Sequence, residues 1–288
     1  MTTAVIGATG RVGSQIVRGV LARGDAVTAL VRDPGKARSV FGEPGGLHIR
    51  PTRLDDPRDL TGALDGIRTV FIAMGSIGIQ GVLQRIAINA AAGIGSIEQV
   101  TRLSVLNASA GSLGINQRAH YSIDQFASAA AVPYSTIRPA IFSASLLEGA
   151  PQVRASRTWT GLASSGRMAL IDYRDAAEAG LRVLTNPALW GAHHDLTGPV
   201  LLSWPQALEL LSAELGEPVT FQVAAERQFL QRLTGAGVPA GTAELLITRE
   251  WAILAGENDY TTGTFQQITG HPPRPVAEFL HHYRAEFL

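Results

Sequence analysis

The sequence predicts an α/β fold: a Rossmann-like doubly wound parallel sheet with a smaller C-terminal α+β lobe. From residue 2 to about residue 140, short β-rich apolar runs alternate with amphipathic stretches, the rhythm of a parallel sheet covered by helices. The first run ends in a glycine-rich turn that opens a helical pattern. After Pro139 the rhythm breaks into Gly- and Ser-containing connections, which marks the second lobe.

Taken in order, the strands expected are Thr3–Ile6, Ala26–Val31, Leu47–Arg50, Thr69–Ala73, Ile97–Leu103 and Tyr134–Arg138. Between them Arg11–Arg23, Arg58–Leu64, Ile79–Ala92 and Gln117–Ala131 carry apolar residues at i, i+3 and i+4, the helical spacing. The second part offers short strands at Arg157–Thr160 and Met168–Ile171. It also offers helices at Asp175–Leu184, Pro205–Leu215, Ala225–Thr234 and Ala240–Leu254, with a terminal helix at Pro275–Phe287. No flexible linker separates the parts, so residues 1–150 are expected as the dinucleotide-binding domain and 151–288 as a lobe packed on it, the chain behaving as one unit.

Composition narrows the function classes. The 288 residues carry 24 Lys+Arg against 24 Asp+Glu, with 45% hydrophobic and 17% charged residues, which is globular and not disordered. A neutral balance without runs of like charge provides no footprint for a phosphate backbone, so nucleic acid is not an expected partner. With no cysteine, disulfides, thiolate nucleophiles and thiolate metal sites are all excluded. Neither a basic-then-apolar leader nor a run of 18 apolar residues occurs; a cytoplasmic protein without a membrane partner, monomeric or homodimeric, is the expectation. Lys36 is the only lysine.

The strongest local signal is AVIGATGRVGSQIVRGVL, where glycines fall at Gly7, Gly10 and Gly13. One glycine lets the chain turn out of the strand, one removes a Cβ that would block a pyrophosphate, and one lets helix and strand pack closely. The helix start then offers free N–H groups to the phosphates. A tight structural turn alone would also account for such a triplet; its place after a strand, opening a helix and heading a βα series, favours dinucleotide binding. Where the second strand ends, NAD enzymes carry an acid for the ribose and NADP enzymes a base for the 2′-phosphate. Here Arg32 comes off the strand, with Lys36 and Arg38 one turn later and Arg11 across the loop, so NADP(H) is favoured over NAD(H). The alternatives are that Arg32 pairs with Asp33, or that Asp33 takes a ribose hydroxyl.

With these residues in place the chain resembles the atypical short-chain dehydrogenase/reductases of the NmrA-like family, a group that includes NADPH-dependent quinone and triphenylmethane-dye reductases and relatives of ergot-alkaloid dehydrogenases. The resemblance covers most of the chain. It is carried by GATGRVG at 7–13, LVRDPGKA at 30–37, DDPRDLTGALDGIRTVFIA at 55–73, VTRLSVLNAS at 100–109, HYSIDQFASAAAVPYSTIRPAIF at 120–142 and ITGHPPRPVAEF at 268–279. It implies that Gly7, Thr9, Gly10, Arg11 and Val12 hold the pyrophosphate, that Arg32 and Lys36 hold the 2′-phosphate, and that Ala73, Met74 and Gly75 lie along the adenosine ribose and pyrophosphate. Pro139, Ala140 and Phe142 would border the nicotinamide. The family often has an acid after the third strand; Thr52–Arg53–Leu54 stands here, so Arg53 would add to a phosphate site.

Main-type short-chain dehydrogenases use Tyr-x-x-x-Lys, the lysine lowering the tyrosine pKa. Tyr121 is followed at that spacing by Gln125, and the pair is absent. The resemblance instead points to His120, fourteen residues ahead of Tyr134, as a polar group beside the nicotinamide ribose that fixes the cofactor or passes a proton; a histidine bonded only to backbone is the plain alternative. Ser104 at the end of the fifth strand can bond substrate or ribose, or cap the strand; Tyr121 is the weaker candidate. Adjacent strand residues face opposite ways, so His193 and His194 do not make a metal site, and none is expected. His281 and His282 read as solvated, and Trp159, Trp190, Trp204 and Trp251 as core before cavity lining.

The expected function is hydride transfer from NADPH to a small hydrophobic or aromatic acceptor: a quinone, iminium, enone or dye. Such acceptors need no strong general acid. A non-catalytic dinucleotide sensor with a protein partner, as the family's namesake is understood to be, is the alternative, and an isomerase or cyclase a fainter one.

Overall fold

The computed structural model describes residues 2–288. The strands β1 (Thr2–Ile6), β2 (Ala26–Val31), β3 (Leu47–Pro51), β4 (Thr69–Ile72), β5 (Gln99–Leu103) and β6 (Tyr134–Pro139) lie where the apolar runs predict them. Between them come α1 (Arg11–Ala22), α2 (Pro34–Phe41), α3 (Pro57–Ala63), α4 (Ile79–Ala92) and α5 (Ile115–Ser128). Their starts are written locally. Asp33 caps α2 and Asp56 caps α3, each followed by a proline in the first turn, the combination that satisfies free N–H groups and fixes the first φ.

Beyond β6 follow α6 (Ala150–Ser156), β7 (Thr158–Gly161), α7 (Tyr173–Thr185), β8 (His193–Leu196), α8 (Trp204–Leu215), β9 (Thr220–Val223), α9 (Glu226–Gly235), α10 (Ala240–Leu254), α11 (Thr264–Thr269) and α12 (Val276–His282). The main sheet has seven strands in the order β3-β2-β1-β4-β5-β6-β8, every pair parallel. Its order reverses between β1 and β4, where the crevice at the carboxyl ends of the strands opens.

The sheet draws its seventh strand, β8, and a covering helix, α7, from beyond residue 150, the boundary expected for the second lobe. α7 packs along α1, with Tyr173, Ala177 and Leu184 in one apolar cluster with Val12, Ile16 and Val17. α3, α4 and α5 bury the opposite face around Leu60, Ile88 and Ile123. The second lobe packs around a further apolar cluster that takes in Leu146 and Ala150, where Trp159 and Trp204 meet edge to face at 4.6 Å, and it carries a two-stranded parallel ribbon of β7 and β9.

Met168–Ile171, expected as a strand, is a connector with isolated bridges only, Ile171 to Phe142 and Met168 to Leu202: it has one contact in each lobe and no continuous partner. Trp190 and Trp251 sit near the surface, their indole N–H groups bonded to Val183 O and Glu226. Among the described residues no helix is long and apolar enough to cross a membrane.

Candidate active site

The site begins at the turn between β1 and α1. Gly7 adopts φ +79°, and a Cβ there would stand 2.1 Å from Ala73 O; one on Gly13 would stand 2.2 Å from Gly7 O. Both glycines are demanded by backbone packing. Gly10 differs: its φ is −79°, and a Cβ would meet only Gly7 O, at 3.3 Å, so its missing side chain leaves room on the cleft side. Gly10 is the N-cap of α1 with no side-chain cap, and the first amides of that helix face the cleft lined by Gly10, Arg11, Val12 and Gly13, as an anion requires.

Two adjoining cavities run from this turn. Toward β2, a cavity of about 310 Å³ is lined by Gly7, Thr9, Gly10, Arg32, Lys36 and Asp33. Arg32 and Lys36 are exposed, and neither forms an ion pair among the described residues. Asp33 is engaged as the α2 cap, accepting from Lys36 N at 3.0 Å. Arg38, expected to converge on the same point, pairs with Glu43 at 3.6 Å. Arg53 lines an adjoining groove together with Arg32. Ala73, Met74 and Gly75, at the end of β4, border both cavities.

Toward β5 and β6 the second cavity, about 440 Å³, is lined by Ser104, His120, Pro139, Ala140 and Phe142, and across from them by Ser145, Glu148, Leu245 and Arg249. All fifteen cofactor-site residues expected from the sequence therefore line one continuous cleft. Tyr121, half-buried, lines neither cavity; α5 presents Asn116, Gln117 and His120 instead. Gln125 is exposed. The tryptophans are absent from this cleft. His193 bonds Thr136 Oγ1 and His194 bonds Leu189 O on opposite faces of β8, and no cluster of metal-ligating groups occurs among the described residues.

Behind His120 lies a network the sequence reading does not contain. Arg102 on β5 is fully buried. It donates from Nε to Tyr134 OH at 2.8 Å, from Nη1 to Gln84 Oε1 at 3.1 Å, and from Nη2 to Ser104 Oγ at 2.9 Å and to Asp124. Nη1 also lies 2.9 Å from His120 Nδ1. Asp124 further accepts from Ser104 Oγ at 3.0 Å, Tyr134 OH at 2.8 Å and Arg138 Nη2 at 3.0 Å. Burial raises the Asp124 pKa, but Arg102 and then Arg138 and Tyr134 outweigh it and hold the carboxyl below its usual range. Burial and the Arg102 charge push His120 well below the usual imidazole value. Ser104 spends its only proton on Asp124, so it faces the cavity as an acceptor.

The signal was present. Arg102 and Arg138 interrupt two central strands, and His120 and Asp124 stand at i and i+4 on one helix, so a buried charge and one polar helix face were readable, though not that the two meet.

A parallel doubly wound sheet whose glycine turn and helix start open into a cleft along the carboxyl ends of its strands defines a dinucleotide-binding protein of the Rossmann class. The chain belongs to the NmrA-like family, which it matches over residues 1–263. It is 27% identical over 282 residues to quinone oxidoreductase 2 of Escherichia coli, covering 97% of each chain. It is 30% identical over 293 residues to the NAD(P)H azoreductase of Xenophilus azovorans, covering 98% of each. The crystal structure of the E. coli NADPH-dependent quinone oxidoreductase complexed with NADPH superposes with a TM-score of 0.90 at 26% identity, covering 98% of this chain and 99% of the other.

Proposed function

We propose that the protein is an NAD(P)H-dependent oxidoreductase, with NADPH preferred, that passes a hydride to a small apolar conjugated acceptor such as a quinone, enone, iminium or azo dye. The observation that carries this reading is the continuous cleft, with Arg32 and Lys36 unpaired at its adenosine end and His120 at its other end. The named activities of the full-length relatives support it.

In this reading residues 1–150 hold the cofactor and 151–288 cover the substrate. The free amides at the start of α1 and the space left by Gly10 suit a pyrophosphate. Arg32 and Lys36 suit the 2′-phosphate. The bound nicotinamide supplies a hydride, two electrons with one hydrogen nucleus, to the acceptor. Pro139, Ala140 and Phe142 exclude water from one side of that transfer, and Leu245 from the other. With glutamine at residue 125 and Lys36 at the far end of the cleft, no Tyr-x-x-x-Lys pair delivers a proton, and the proton that completes reduction comes from water. Acceptors that stabilise added charge by conjugation tolerate this; simple ketones do not.

The test is a parallel titration with NADPH, NADP+, NADH and NAD+, repeated with Arg32→Ala, followed by NADPH oxidation with a panel of quinones, enones, iminium ions and azo dyes. NADPH should bind most tightly, and Arg32→Ala should weaken it by about tenfold or more while leaving NADH unchanged. Failure of all four to bind removes the cofactor reading. Binding without turnover of any acceptor removes the reductase reading and leaves the sensor.

A further inference from the structure

We propose that Arg102 is a positioning residue for His120: by donating to Nδ1 it fixes the neutral imidazole with its proton on Nε2, so the substrate end of the cleft receives a hydrogen-bond donor that does not surrender its proton. The inference rests on the oxidoreductase reading for its purpose, but not for its geometry.

A guanidinium has five N–H donors and no acceptor, and stays protonated in proteins. Its contact with His120 Nδ1, at 2.9 Å, therefore uses the nitrogen lone pair. Nδ1 carries no proton, and a neutral ring must carry it on Nε2. No hydrogen bond to Nε2 forms among the described residues, and His120 lines the cavity wall. His120 O also lies 3.2 Å from Arg102 Nη2 and shares one of the two protons that this nitrogen directs to Ser104 and Asp124.

Every charged group facing the ring opposes a second proton or is already engaged. From β5, Arg102 sets a cation against Nδ1. From β6, Arg138 adds another, and Tyr134 directs its hydroxyl to Asp124. Asp124, from α5 itself, is the one group that would stabilise an imidazolium, and its oxygens already accept from Arg102, Arg138, Tyr134 and Ser104. Glu148 and Arg249, on the opposite wall, are engaged with one another at 3.0 Å.

The same arginine reaches the cofactor side. Gln84 accepts from Arg102 through Oε1 and donates through Nε2 to Gly75 O at 2.6 Å. The amide cannot be turned over without losing both bonds. Arg102 thus holds, through one rigid fork, the loop that borders both cavities and the ring that borders the second. As a hydride reaches a conjugated acceptor, negative charge gathers on its oxygen or nitrogen. A fixed neutral N–H aimed there stabilises that charge without transferring a proton.

The decisive measurement is the 15N chemical shifts of the His120 ring in the intact protein without acceptor, from about pH 5.5 to 8.5. The expected result is a protonated Nε2, a bare Nδ1 and no titration across the range. A ring that titrates near its ordinary value, or one protonated on Nδ1, overturns the proposal. In turnover, the rate should be independent of pH over that range. His120→Gln, which keeps an N–H, should retain kcat within about tenfold, whereas His120→Phe should lose about a hundredfold; equal losses in both, with NADPH binding intact, overturn the donor role. Arg102→Met leaves the ring buried but removes the donor at Nδ1, so the proton should no longer be confined to Nε2 and the nitrogen shifts should report a mixture of tautomers or a protonated Nδ1. A folded variant whose ring still keeps a bare Nδ1 and a protonated Nε2 overturns the assignment to Arg102. If no acceptor is reduced the reductase reading falls, while the nitrogen shifts still decide the tautomer.

Discussion

Three glycines that look equivalent in the sequence are unequal in the fold. Gly13 has no room for a Cβ because a backbone oxygen stands 2.2 Å from its position, whereas at Gly10 the nearest atom is 3.3 Å away and the rest is open. Gly13→Ala should therefore lower stability by about 1–3 kcal/mol, as overpacking does, and its thermal midpoint should fall. Gly10→Ala should leave the midpoint nearly unchanged and weaken NADPH binding by about tenfold, because the methyl enters the space meant for the pyrophosphate. Calorimetry and a binding titration on the two variants separate fold from site. Asp124 allows a second prediction. Its folded pKa lies below the unfolded value, so its ionised form stabilises the fold above about pH 4, and that contribution is lost as pH falls through the folded pKa. Asp124→Asn should flatten the acid limb of stability against pH, measured by urea unfolding from neutral pH downward. The glycine positions were legible because they obey a spacing rule. Arg102 stood out as a charge inside an apolar strand, but its pairing with Gln84 and Asp124 was not legible, since that depends on which strands and helices become neighbours.

At the scale of elements, most helices with an apolar face and strands in apolar runs were read correctly, Met168–Ile171 being a buried run that pairs with no strand, and several elements without such a signature were missed. α2 buries only Ala37, so it has no period to detect, although its Asp33–Pro34 start was visible. β8 reads His-His-Asp-Leu, yet it pairs with β6 through residues 193–196. β9 is nearly all exposed and exists because β7 pairs with it. α11 buries Phe265 against the α7 side of the sheet. α10 was expected as a helix, but its contribution to the cleft was not legible, because a lobe that covers a site carries no motif for doing so. Arg249 on α10 is bracketed by Glu148 and by buried Glu250, which also accepts from Trp204 Nε1 at 3.2 Å. Of these two carboxylates only Glu148 lines this end of the cleft, the one acidic side chain to do so among the described residues. Glu148→Gln should raise kcat/KM for acceptors bearing a carboxylate, relative to those bearing an ammonium, by about three- to tenfold. Steady-state assays with matched quinones read this ratio, and an unchanged ratio would show that Glu148 does not face the substrate.

For the whole molecule, cofactor binding and stability are one equilibrium. At a hundredfold excess over Kd, a ligand that binds only the folded state adds about 2.7 kcal/mol, roughly 5 °C in a chain of this size. NADPH should give that shift in a single transition, and NADH a smaller one at equal concentration. A single transition is expected because neither lobe closes its core alone: α7 and β8 return to the sheet after β7 has entered the second lobe. α11 then packs on α7 and β8, and α12 on α8. Ser145 and Glu148 share a wall of the cleft with Leu245 and Arg249, so residues on both sides of position 150 build it. This weaving also restricts motion. Two bodies joined by one strand of chain can swing about a hinge, but bodies laced together by several passes of backbone cannot separate without breaking sheet or helix packing. A cleft laced in this way should change width little, and the measurement that checks it is the dependence of kcat on solvent viscosity, expected to be weaker than its dependence on the bulk of Leu245, which lines the cavity.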